Sequence, residues 1–189
     1  MSKLFRKAAG TLVLVGAAQF IVSMVVAETL YSGYSVADNY ISDLGVGPSA
    51  LIFNSSIFLF GLLVVIAAYL IWRGAGAKIV AVLFFIAGIG VMGVGVFTEN
   101  AGAIHGVVSM IAFLFGSLSA IAAYKLEKTP LNYISVIMGL IGIIAMVLFV
   151  TQNYLGLGAG GMERMIAYPE VLWAAVFGGY MIGSENNNQ

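Results

Sequence analysis

Six apolar stretches, each long enough to cross a bilayer, constrain this chain more than any other feature. A spanning helix needs ~20 mostly apolar residues. The stretches cover roughly residues 8–30, 49–72, 78–98, 102–124, 131–152 and 162–183. Unpaired backbone groups are costly in lipid and the sequence shows no barrel-like alternation, so these stretches are expected to be helices. Only 8% of the 189 residues are charged, against about 25% in an average soluble domain. A chain that is 61% hydrophobic lacks the polar shell that a soluble core needs. The expected fold is all-α: one integral membrane bundle of six transmembrane helices over residues 1–183, then a polar tail over 184–189. Residues 1–27 have the basic start and apolar middle of a secretory signal, but the apolar part is long for one and reads as the first span.

The ends of the stretches are sorted by charge. Lys3, Arg6, Lys7, Arg73, Lys78, Lys125 and Lys128 fall on one side, and Arg164 is the one cation on the other. By the positive-inside rule the basic side is cytoplasmic, which places both termini in the cytoplasm of a multi-pass protein of the cell membrane. The opposite, outer side collects Glu28, Asp38, Asp43, Glu99, Glu163, Glu170 and His105, while Glu127 and Glu185 are inner acids. Candidate chemistry therefore gathers on the outer face.

Four groups of residues carry it. The connection over 31–48 contains DNYISDLG, where Asn39, Ser42 and Asp43 accompany apolar Ile41 and Leu44. That mixture suits a loop dipping onto the bundle, and equally a capped turn. Glu99 and Asn100 end the third stretch, a few residues before His105. A carboxylate beside a histidine can fix its tautomer or share a proton. Gly102, His105, Gly106 and Ser109 share one helical face, which small residues mark as an expected packed interface. The sixth stretch begins MERMIAYPEVLW, where Glu163 and Glu170 share a face and Arg164 and Tyr168 an adjacent one. Glu170 would lie ~12 Å along the helix from Met162, and an ionisable group at depth is a functional candidate. Pro169 removes one hydrogen bond and predicts a kink. Glu28, at the end of the first helix, faces an unfavourable dipole and needs a partner. The glycine-rich segment over 153–161 reads as a flexible connection.

Other chemistries are excluded or left open. With no cysteine, disulfides, thiol catalysis and thiolate metal sites are out. One histidine makes no zinc signature, so no metal residues are assigned and no cofactor is expected; an oxygen-rich site for calcium or magnesium stays open. No nucleic-acid partner is expected, because the basic residues are spread along the chain. Phosphate-loop, dinucleotide and nucleophile-elbow motifs are absent.

NYISDLG after the first span, FTEN and IHG across the third and fourth, and six short spans together resemble the domain-of-unknown-function 998 family of small prokaryotic multi-pass membrane proteins. The likeness covers essentially the whole chain by layout. It implies Asn39, Ser42, Asp43 and Leu44 in a first-loop signature, and an acid and a histidine around Glu99 and His105. It implies architecture and candidate positions, and no activity.

Three functions compete. An interfacial enzyme or binder would use Asp43, Glu99, His105 and Glu163 for acid–base work on a lipid or small anionic ligand. Its ligand-binding groups would be Asn39, Ser42, Asn100, Arg164, Tyr168 and Glu170, with Arg164 holding the anionic head group. A small transporter or ion- or proton-coupled carrier would use Glu170, Pro169 and the glycines of the third helix, Gly88, Gly90, Gly93 and Gly95, around a movable cavity. A structural membrane subunit would use the cluster as a buried polar network. Membrane lipids are expected partners, and the sequence leaves enzymatic activity and oligomeric state open.

Overall fold

The computed structural model describes residues 3–74 and 77–184. The expected polar tail, Ser184 aside, lies outside the described residues. Six helices are long and apolar enough to cross a membrane: α1 (Lys3–Leu30), α2 (Ala50–Gly74), α3 (Lys78–Val96), α4 (Ala103–Ala122), α5 (Leu131–Val150) and α6 (Gly158–Gly183). No strand occurs among the described residues.

The helices close into a ring. Each packs against its neighbour in sequence, and α6 returns to pack against α1. Close crossings rest on glycine, because lipid offers helices no hydrophobic drive and packing must do the work. At the α1–α6 crossing, a Cβ on Gly10 would stand 2.5 Å from the Gly178 carbonyl oxygen. On α3, Gly88 meets the α2 backbone, Gly90 the α4 backbone at Ala112, Gly93 the Val108 side chain and Gly95 the Asn54 carbonyl. All four glycines expected around a movable cavity thus sit in helix contacts. The core is aromatic and aliphatic, with Phe20 stacked on Phe60 and Phe84 edge-on to Trp173. Large apolar side chains such as Val22, Leu51 and Ile79 face outward, as lipid requires.

Two expectations need correction. The glycine-rich segment is helical from Gly158 onward, because it seats the 31–48 loop: the amides of Gly160 and Gly161 both donate to the Ala37 carbonyl. A Cβ on Gly160 would collide with the Asn39 carbonyl, so the glycines are there for close approach. The N-terminal half of α4 is also not packed as expected. A Cβ on Gly106 would meet nothing within 4 Å, and the buried residues of α4 begin at Ala112.

Candidate functional site

The loop of residues 31–48 folds back onto the bundle. Ile41 and Leu44 are buried in the core, and a single 3-10 turn, Ser42–Gly45, carries Asp43. Ser49 Oγ donates to the Leu44 carbonyl at 3.0 Å and Asn54 Nδ2 to the Gly45 carbonyl at 2.8 Å.

Arg164 fastens this loop. Its guanidinium donates to the carbonyls of Val36, Asn39 and Gly160 at 3.0–3.1 Å. It also donates to Tyr34 Oη at 2.6 Å and pairs with Glu28 at 2.8 Å. Glu28 thereby finds the partner its place at a helix C-terminus demands. The Tyr34 hydroxyl in turn donates to the Tyr40 carbonyl. Burial, reinforced by the charges of Glu28 and Glu163, outweighs Arg164 and pushes the Tyr34 phenol up to about 12. Arg164 is 4% exposed, with its two terminal nitrogens directed at the loop, Glu28 and the Gly160 carbonyl.

Asp43 organises the turn beneath. Its Oδ2 accepts from Asn39 Nδ2 at 2.8 Å and from the Tyr40 amide at 3.0 Å. Asn39 Oδ1 accepts from the Ser35 amide. Asp43 also shares a carboxyl–carboxyl hydrogen bond with Glu99. Partial burial, that hydrogen bond and the Asp43 charge push Glu99 up to about 7. Two carboxyls this close cannot both ionise freely. Glu99 thus meets Asp43, not His105. The His105 Nδ1–H donates to the Phe97 carbonyl at 2.8 Å, leaving Nε2 to accept from Ser109 Oγ at 3.3 Å. Asn100 and Tyr168 are exposed.

Below the loop lies a cavity of about 100 Å³. Residues from α1, α2, α3, α4 and α6 line it, with Ile41 and Ser42 of the loop at one end. Its walls are mostly apolar and rich in aromatics, including Phe20, Phe60, Phe84 and Trp173. Two carboxyls enter it, Glu163 and Glu170, and no lining residue is basic. Glu163 accepts a short hydrogen bond from the Ile41 amide. Glu170 accepts from Ser117 Oγ at 2.6 Å. Gly116 and Gly142 leave the room its carboxyl occupies, since a Cβ on either would press on Glu170 or on Ser117. Because α6 starts at Gly158, Glu170 lies about 18 Å along the helix at the standard rise. That is deeper than the sequence suggested, near mid-bundle. Pro169 precedes it inside one continuous helix.

The sequence marked Glu127 only as an inner acid and gave Ser117 no role at a site. Glu127 is 7% exposed and accepts from Ser135 Oγ. Ser135 Oγ also accepts from Trp173 Nε1 at 3.0 Å. Burial raises the Glu127 carboxyl above its ordinary value. A lone acid among lysines reads as solvated, so only the tertiary contact reveals it. Among the described residues no group of three or more His, Asp or Glu side chains could hold a metal ion.

The family described as "Protein of unknown function (DUF998)" matches residues 14–180, and the chain belongs to that family. No curated protein and no solved structure matches the chain.

Proposed function

We propose that this DUF998 protein is a carrier that binds a small, largely apolar cation, such as a protonated amine, between Glu163 and Glu170. One observation carries the reading: two carboxyls and several aromatic rings share a cavity that no basic side chain lines. A carboxylate in apolar surroundings costs several kcal/mol unless it holds a proton or a cation. Aromatic faces attract a cation within ≈ 6 Å and repay part of its lost hydration. The cavity therefore favours a cation exchanging with a proton. An anionic head group fits poorly, because Arg164 is already spent on Glu28 and the loop.

Glu170, with Ser117 bonded to it, is the deep charge partner. Glu163 is the partner at the loop end, held by the Ile41 amide. Ser42 and Ser109 line the same cavity and would offer hydroxyls to the amine. Asp43 and Glu99 lie beyond Glu163 and pass protons to and from the site. By the positive-inside rule the loop end faces outward.

Trp173 lines the cavity and Trp72 does not, so fluorescence of a Trp72→Phe protein reports on the site alone. Benzylammonium should quench Trp173 saturably. The quench should disappear in Glu170→Gln and weaken in Glu163→Gln, while benzoate, of the same size, has no effect. Equal quenching by benzoate, or a Glu170→Gln variant that responds like its parent, would remove the reading.

The Asp43–Glu99 pair favours a second reading, acid–base catalysis at the loop end. A carboxyl near 7 is poised to give and take protons at neutral pH.

A further inference from the structure

At the basic end, α3 and the corner between α4 and α5 leave a groove of about 750 Å³. That size falls within the ~300–1,000 Å³ of small-molecule sites. Its walls include Ile79, Ile121 and Val136, and its polar side chains are Lys78, Lys125 and Tyr124. No acid lines it. The acid nearest in sequence, Glu127, is buried with its carboxylate on Ser135. Lys78 and Lys125 are exposed, and neither forms an ion pair among the described residues. The Lys78 ammonium stands 5.5 Å from the ring of Trp72, which is itself exposed. An exposed tryptophan beside a lysine at a helix end marks the level of the lipid head groups. The groove is therefore apolar towards the membrane core and cationic at its rim.

We propose that this groove holds an anionic phospholipid. The phosphodiester sits between Lys78 and Lys125, the Tyr124 hydroxyl donates to it, and an acyl chain lies along Ile79, Ile121 and Val136. Charge complementarity selects an anionic head group, and basic pockets between helices at a membrane face are known to take such lipids. The apolar wall selects a lipid over a soluble phosphate, since only an acyl chain uses it. The site shares no lining residue with the cavity, so it stands whether or not the carrier reading does.

The full chain, delipidated in detergent, is titrated by native mass spectrometry with dioleoylphosphatidylglycerol, dioleoylphosphatidylcholine and glycerol 1-phosphate. Phosphatidylglycerol should bind, phosphatidylcholine at least tenfold more weakly, and glycerol 1-phosphate should not compete. Lys78→Gln with Lys125→Gln should weaken phosphatidylglycerol roughly thirtyfold, from about 1 kcal/mol per lysine and 1.4 kcal/mol per tenfold. Lys3→Gln with Lys7→Gln, elsewhere on the basic end, should change it little. Either single groove variant should lose about fivefold on the same conversion, which keeps the test decisive if the double variant does not fold. Undiminished phosphatidylglycerol binding in the groove variants overturns the site. So does an equal loss in the Lys3 and Lys7 variant, or full competition by glycerol 1-phosphate.

Discussion

At the scale of single residues, depth decides what a carboxyl can do. Glu170 sits near mid-bundle with one serine donor and two glycines opposite. Glu99 sits at the loop end against Asp43, where burial and that neighbour raise it to about 7. A raised carboxyl stabilises the fold most when protonated. Its contribution is full below the ordinary value of 4.5 and is lost as pH climbs through about 7. Thermal stability should therefore fall across that window, and Glu99→Gln, which stays neutral, should flatten the fall. A Glu99→Gln protein whose melting temperature tracks the parent at every pH would rule out the shared proton. The sequence showed that Glu99, Asp43 and Glu163 would lie at one end. It paired Glu99 with His105 because they are close in sequence, whereas the 31–48 loop brings Asp43 across from another segment.

At the scale of elements, α6 does two jobs along one length. Its first turns hold the loop through Gly160, Gly161 and Arg164, and its middle supplies the cavity carboxyls. The loop–α6 clasp has a measurable consequence. Arg164→Ala leaves Glu28 without its partner and the Val36 and Asn39 carbonyls short of a donor. Arg164 is buried while Glu28 is 21% exposed, so the loss should fall between about 1 kcal/mol for an exposed pair and about 3–5 kcal/mol for a buried one, and unfolding by denaturant should register it. Proteolysis within residues 31–48 should also quicken. A loss below about 1 kcal/mol, the value of an exposed pair, would mean that Arg164 is not a clasp. All six helices were legible to within about a turn and a half, because apolar length sets them; the largest differences are the starts of α1, at Lys3, and of α6, at Gly158. The start of α6 was hidden because glycine weighs against helix in any local reading. Only the collision a Cβ would make with the Asn39 carbonyl explains why glycine is needed there. Arg164 stood out as the lone cation at the acidic end, yet its partner Glu28 is 136 positions away.

At the scale of the whole molecule, the ring of helices is what makes a cavity. Sequence gave the count of spans through hydropathy, but closure of α6 on α1 comes from a Gly10–Gly178 crossing that no local pattern announces. Closure puts Phe20 of α1, Phe84 of α3 and Trp173 of α6 around one space. It also leaves Glu163 and Glu170 facing that space with no basic side chain among its lining residues. A site built this way should exchange a proton for a cation, because a bare carboxylate there is too costly. Calorimetry measures that exchange directly. Benzylammonium is titrated into the protein at fixed pH in two buffers of different ionisation enthalpy, and the difference in heat counts the protons released. Saturable binding with close to one proton released per cation, lost in Glu170→Gln, is the expected result. Binding without proton release, or no saturable heat at all, would contradict it.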